Sequence, residues 1–118
     1  RLKHLKMKRS SIGEFEELVM LTTSVLYDKA YGIAIKNEIE RRMDRKVSVG
    51  ALRAALARLE KKGFLESSLG EPTAIRGGKR KRFFRVTPYG KKVLDAVMEA
   101  RQQLWKDIPS IAFDFKKL

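Results

Sequence analysis

Arg76-Gly77-Gly78-Lys79-Arg80-Lys81-Arg82-Phe83-Phe84-Arg85 is the stretch that decides the fold. It carries six basic residues and no acid. Two short strand-like runs, Phe64 to Leu69 and Phe83 to Val86, flank its glycine pair. Two adjacent glycines let the backbone turn tightly. The stretch therefore reads as a β-hairpin with a strongly cationic tip. Just upstream, Ser48 to Lys62 has helical spacing and is also rich in Arg and Lys. A basic helix followed by a basic hairpin is the outline of a winged helix, a helix-turn-helix variant that sits on DNA.

Working outward, the helix before the hairpin has Ser48 as its N-cap. It should bury Leu52, Ala55, Leu56 and Leu59 and expose Ala51, Arg53, Ala54, Ala57, Arg58 and Lys61. Small residues beside Arg on the exposed side let a helix backbone come close to a groove. Gly63 is placed to end the helix as its C′ residue. Pro72 argues that strand pairing stops before it.

Upstream, Ser11-Ile12-Gly13-Glu14 reads as a capping box, with Ser11 as N-cap. Phe15, Leu18, Val19, Thr22, Val25 and Leu26 follow at helical spacing, giving a first helix that ends near Asp28. Ala30-Tyr31-Gly32 reads as a turn into a second helix. Tyr31, Ile35, Ile39 and Met43 share one of its faces, with Lys36, Glu40 and Arg41 on the other. Downstream of the hairpin, Thr87-Pro88 opens a fourth helix, Thr as N-cap and Pro in the first turn. That helix carries two apolar stripes: Val93, Val97 and Leu104, then Leu94, Met98 and Trp105. One stripe suffices to dock on a small head, so the second needs another cover, and a partner helix supplies it. Pro109 stops the helix, and Ile111, Phe113 and Phe115 are placed to pack back on it.

The 118 residues suffice for one domain with a modest core. Lys plus Arg number 27 against 14 Asp plus Glu, a net charge of +13. So large an excess costs the compact state self-repulsion, and a polyanionic partner is the simplest reason for it. The absence of cysteine excludes disulfides and thiolate metal sites and fits a reducing, cytoplasmic setting. No apolar run approaches the roughly 18 residues needed to cross a membrane, and no signal-peptide pattern is present. The chain does not begin with Met; Met7 is a candidate start, with Arg1 to Lys6 upstream of it. His4, the lone histidine, has no partners at metal-ligand spacing. Nothing forms a nucleophile–base–oxyanion constellation or a nucleotide-binding glycine loop, so an enzyme is not expected.

From about Gly13 to Trp105 the chain resembles the PadR family of bacterial transcriptional regulators. Ala30-Tyr31-Gly32 with Ile35 resembles that family's turn and second helix. Ser48-Val49-Gly50-Ala51-Leu52-Arg53 through Gly63-Phe64-Leu65 resembles its recognition helix. Gly77 through Arg85-Val86-Thr87-Pro88-Tyr89-Gly90 resembles its wing and the entry to its last helix. Arg53 and Ala54 depart from the pattern, since the family often has Tyr and Pro there. The resemblance implies a cytoplasmic, homodimeric DNA-binding repressor, in some members with an effector pocket at the dimer interface.

The expected architecture is mainly α with a small β-hairpin wing. It comprises a basic arm over residues 1–10, a winged helix-turn-helix over 11–87, a C-terminal dimerisation helix over 88–109 and a tail over 110–118. The expected partner is double-stranded DNA with a palindromic operator. Ser48, Arg53, Arg58 and Lys61 would contact it from the third helix, although Arg58 has the alternative of pairing with a neighbouring acid. Arg76, Lys79, Arg80 and Lys81 would contact it from the wing. Leu94, Met98 and Trp105 are the expected dimer stripe, with Leu104 nearer the head. Trp105 doubles as a candidate stacking surface for a small aromatic effector, though dimer packing is favoured. Tyr31 is expected to pack its ring on the core, and one of Phe83 and Phe84 is expected to do the same. The rival reading is an effector-sensing or protein-interaction winged helix that reads no DNA sequence, and the wing's charge argues against it.

Overall fold

The computed structural model of the protein describes residues 12–71 and 80–117. Helix α1 spans Glu14–Leu26 and is followed by a 3-10 turn at Tyr27–Lys29. Helix α2 spans Gly32–Met43 and α3 spans Val49–Lys61. Strand β1 (Leu65–Leu69) pairs antiparallel with β2 (Arg82–Val86), in a register that sets Leu65 opposite Val86 and Leu69 opposite Arg82. Helix α4 runs over Pro88–Asp107, and two 3-10 turns, Ser110–Phe113 and Phe115–Lys117, follow it. This is a mainly helical fold with a two-stranded wing, as the sequence led us to expect.

The start of α1 differs from expectation. Its N-cap is Gly13, not Ser11, which lies outside the described residues. The reciprocal bond comes from Glu16, whose carboxylate accepts the Gly13 amide at 3.2 Å, rather than from Glu14. Glu14 instead accepts from Arg45 at 3.2 Å. Helix α2 ends at Asp44 in a left-handed conformation (φ 50°), and the Glu40 carboxylate then accepts the Val47 amide at 2.9 Å. That bond organises the turn into α3, whose first turn is closed by Ser48 Oγ accepting the Ala51 amide at 3.0 Å.

The core follows the apolar spacing on α3, but Val25 and Met43, expected on apolar faces, are exposed, and Met20, not expected there, is fully buried. Leu52, Ala55, Leu56 and Leu59 of α3 are buried against Val19 and Met20 of α1, Ile35 and Ile39 of α2, and Phe64, Leu65 and Phe84 of the wing. Phe84 is the core member of the Phe83–Phe84 pair. Tyr31 is only half-buried: its ring lies edge-on to Phe83, with centroids 5.6 Å apart, so it braces the wing rather than filling the core. A backbone bond from the Phe84 amide to the Ala30 carbonyl, 2.8 Å, ties β2 to the entry of α2.

One joint links α3, the wing and α4. Gly63 takes φ +83°, and the Phe64 amide reaches back to the Leu59 carbonyl at 2.9 Å while the Gly63 amide reaches Glu60 at 3.0 Å. These two bonds form a Schellman stop, which glycine at C′ makes inexpensive. The Phe64 carbonyl then accepts the Thr87 amide at 3.0 Å, and Thr87 caps α4 through the Gly90 amide. Gly90 lies so close that an added Cβ would stand 2.2 Å from the Phe64 carbonyl oxygen.

The fourth helix corrects the expected dimer stripe. Val93 and Leu94 are both buried on the head, so Leu94 is a core residue. Leu104, expected nearer the head, is 70% exposed, as is Trp105, and Met98 is 49% exposed. The cause is geometric: the first two turns of α4 dock on the head and the later ones run beyond it. Ile111, Phe113 and Phe115 do not pack back on α4; all three are exposed.

Gly90→Ala should destabilise the protein by about 1–3 kcal/mol, the usual cost of forcing atoms into a closed contact. Urea unfolding of the variant checks this, and an unchanged midpoint would mean the joint relaxes freely.

Candidate nucleic-acid interface

A cleft of about 610 Å³ opens between α3, the N-terminal end of α2 and the wing. Leu52, Leu56 and Phe84 belong to its lining and to the core beneath. Lys36, Arg53, Arg80, Lys81 and Arg82 supply its charge, and among the described residues no carboxylate lines it. Such a concentration of like charge in one cleft is an anion site in waiting.

The side chains that build the cleft are held in different ways. Arg53 is exposed, and no partner among the described residues takes up its guanidinium. Arg80 donates from Nε to the Gly70 carbonyl at 2.8 Å, which straps the strand ends together. Lys81 places its ammonium 4.1 Å from the centre of the Tyr31 ring. That contact, with the Tyr31–Phe83 edge, fixes the wing relative to α2. Arg82 donates to Ser67 Oγ at 3.0 Å, and Ser67 in turn donates to Glu60 at 2.7 Å. Lys36 pairs with Glu40 at 3.3 Å.

Of the residues expected from sequence, Ser48, Arg53 and Lys61 are exposed on α3, and Arg80 and Lys81 are exposed on the wing. The cleft brings together Arg53, Arg80 and Lys81, while Ser48 and Lys61 are not among its lining residues. Arg76 and Lys79 lie outside the described residues. Lys36 and Arg82 also line the cleft and were not singled out. From the sequence Lys36 is only a cation on the polar face of α2, because nothing in the sequence shows that the N-terminal end of α2 faces the wing.

Arg58 takes its alternative. Its Nε donates to the Glu16 carboxylate at 2.8 Å, and Lys62 reaches the same carboxylate at 3.5 Å. Glu16 is 8% exposed, which the sequence did not suggest. Burial pushes the Glu16 carboxyl up, but the bonds from Arg58 and the Gly13 amide, with the charges of Lys62 and Arg58, outweigh it. The carboxyl is held below the usual carboxylate range. Glu40 is likewise held low, chiefly by the Val47 amide. Thus one acid on α1 pairs with Arg58 of α3 and with Lys62 just past its end, and so clamps the two helices together.

The rest of the surface offers little other chemistry. Among the described residues no group of three or more His, Cys, Asp or Glu is arranged to hold a metal ion. No helix among them is long and apolar enough to cross a membrane. Large exposed apolar side chains gather instead on α1 (Leu21, Val25), on α4 (Met98, Leu104, Trp105) and on the tail. Arg101 of α4 donates to Glu17 of α1 at 2.9 Å, which ties these two helices together.

Comparison with known proteins agrees with this geometry. A family model described as "Transcriptional regulator PadR-like family" matches residues 23–96. A solved transcriptional regulator from Clostridium thermocellum is similar at 28% identity, over 77% of this chain and 85% of that one, with a TM-score of 0.60. A PadR family transcriptional regulator from Eggerthella lenta is similar at 28% identity, over 91% and 92% of the two chains, with a TM-score of 0.59. A PadR family regulator from Clostridium difficile, 22% identical over 78% and 92% of the two chains, shares the fold with a TM-score of 0.61. No curated protein matched the chain.

The Glu16 clamp predicts a pH dependence. A carboxyl with a depressed folded pKa stabilises the fold fully above its unfolded value, about 4.3. That stability is lost as pH falls through the lower folded value. Glu16→Gln should therefore cost about 1.5–3 kcal/mol at pH 7, the range for a hydrogen bond to a charged group. It should also lose less stability than the wild type between pH 5 and 3. Denaturant titrations at the three pH values check both signs.

Proposed function

The chain belongs to the PadR-like family of transcriptional regulators, whose members bind DNA and are not enzymes, and from there we propose that it is a dimeric repressor of a palindromic operator. Each α3 enters a major groove, and each wing follows the neighbouring phosphates or minor groove. The observation that carries this reading is the carboxylate-free cationic cleft, with Arg53 free at its mouth. Ser48, Lys61, Arg80 and Lys81 are proposed phosphate contacts, and Arg53 a base-edge contact. Arg58 is proposed as a clamp for α1, not a DNA ligand. Gly50 supports close approach: it is exposed on the first turn of α3, and beyond its chain neighbours and its own helix backbone nothing among the described residues lies within 4 Å of where its Cβ would stand. A helical glycine costs about 0.5–1 kcal/mol against alanine, so an approaching backbone gives the bare position a use.

The second copy is proposed to cover Met98, Leu104 and Trp105 of α4, Leu21 and Val25 of α1, and the tail residues Ile111, Phe113 and Phe115. Three aromatic side chains carry about 150–250 Å² each, a large part of the roughly 800 Å² per partner that a stable interface needs. Trp105 is so exposed in a single copy that a small aromatic effector stacked on it would need the second copy to close the site. Repression then follows from occupancy of a promoter by the paired heads.

Arg53→Ala should lose about 1–3 kcal/mol on the preferred duplex and relax its sequence preference. Gly50→Ala should raise stability by up to about 1 kcal/mol and yet weaken DNA binding. Paired fluorescence-anisotropy and unfolding curves test both. Equal weakening on specific and random duplexes would reduce Arg53 to a phosphate contact. For the dimer, Leu104→Glu with Trp105→Lys should yield monomer at micromolar concentration in the ultracentrifuge with helix content intact. A wild-type monomer would overturn the paired-head reading.

A further inference from the structure

Of the exposed apolar side chains among the described residues, Ile33 and Val49 are the two that line the cationic cleft, whereas Met43 and Leu69 lie outside it. Ile33 is 54% exposed and Val49 44%. Val49 is the first residue of α3, and Arg53, one turn on, lines the same cleft. Ile33 is the second residue of α2 and lines the same cleft, as do the buried Leu52 and Leu56. Around them stand Lys36, Arg80, Lys81 and Arg82. A pair of bare aliphatic groups in the middle of an anion-binding cleft does nothing for phosphate recognition. It suits a ligand that brings an apolar group among charges.

The major groove presents one such group, the C5-methyl of thymine. Residues at the N-terminal end of a recognition helix are the ones that reach base edges. We propose that Val49, backed by Ile33, reads a thymine methyl in each operator half-site. Val49 and Arg53 are about 6 Å apart along the helix axis, under two base-pair steps of about 3.4 Å. The thymine should therefore lie within about two base pairs of the base that Arg53 contacts. This inference rests on the reading that α3 enters the major groove.

The test uses the full-length protein and a duplex selected from random sequence. Each thymine of a half-site is replaced in turn by deoxyuridine, which removes only the methyl. One position per half-site should lose about fourfold in affinity, the worth of one buried methyl. Val49→Ala should bind the thymine and uracil duplexes equally, whereas Arg53→Ala should keep the difference. Circular dichroism checks that both variants remain folded. Selective binding with no methyl-sensitive thymine overturns the proposal and leaves the DNA reading standing. A uracil penalty that persists in Val49→Ala overturns the assignment to Val49. Failure of selection to enrich any duplex overturns the DNA reading and this inference with it.

Discussion

The backbone carbonyl of Phe64 is the point on which the rest of the molecule hangs. It sits one residue after the Schellman stop of α3, at the entry to β1, and it accepts the amide of Thr87, which caps α4. Gly90 closes against it, and the Phe64 and Tyr89 rings meet edge to face at 5.1 Å. The end of the reading helix, both strands of the wing and the start of the fourth helix are thereby fixed within a few ångströms. The consequence is mechanical. Any displacement of α4 would act directly on α3 and the wing, the elements proposed to face DNA.

Charge is divided with the same economy. The chain carries a net charge of +13, and the cations of α3 serve two ends. Arg58 and Lys62 converge on the buried Glu16 and stabilise the head. Arg53 points its charge into the cleft with Arg80, Lys81, Arg82 and Lys36. Exposed apolar side chains of α1, α4 and the tail lie outside that cleft, and Arg101 and Glu17 tie α1 to α4. The cleft is thus chemically suited to a polyanion, and a second copy of the chain is the proposed cover of the apolar side chains.

Much of this was legible in the amino-acid sequence because local rules carry it. The spacing of Leu52, Ala55, Leu56 and Leu59, the caps at Ser48 and Thr87, and the stop at Gly63 depend on near neighbours, and each is found where expected. What depended on tertiary packing was not legible. In sequence Glu16 is simply an acid in the first turn of α1, where it suits the helix dipole, and only the approach of α3 makes it a buried clamp. The two stripes of α4 were visible, but which turns dock on the head was not, so Leu94 and Leu104 exchanged places. Tyr31 and Lys81 are fifty residues apart, and only the fold of the wing brings them together.

The central claim is that two such heads, held at a fixed separation, read one two-fold site. Hydroxyl-radical footprinting on the selected duplex tests it most directly. The account predicts two protected patches per site, symmetric about a dyad and centred about one helical turn, ~34 Å, apart. A single patch with no symmetric mate, at protein concentrations that saturate the site, would contradict it.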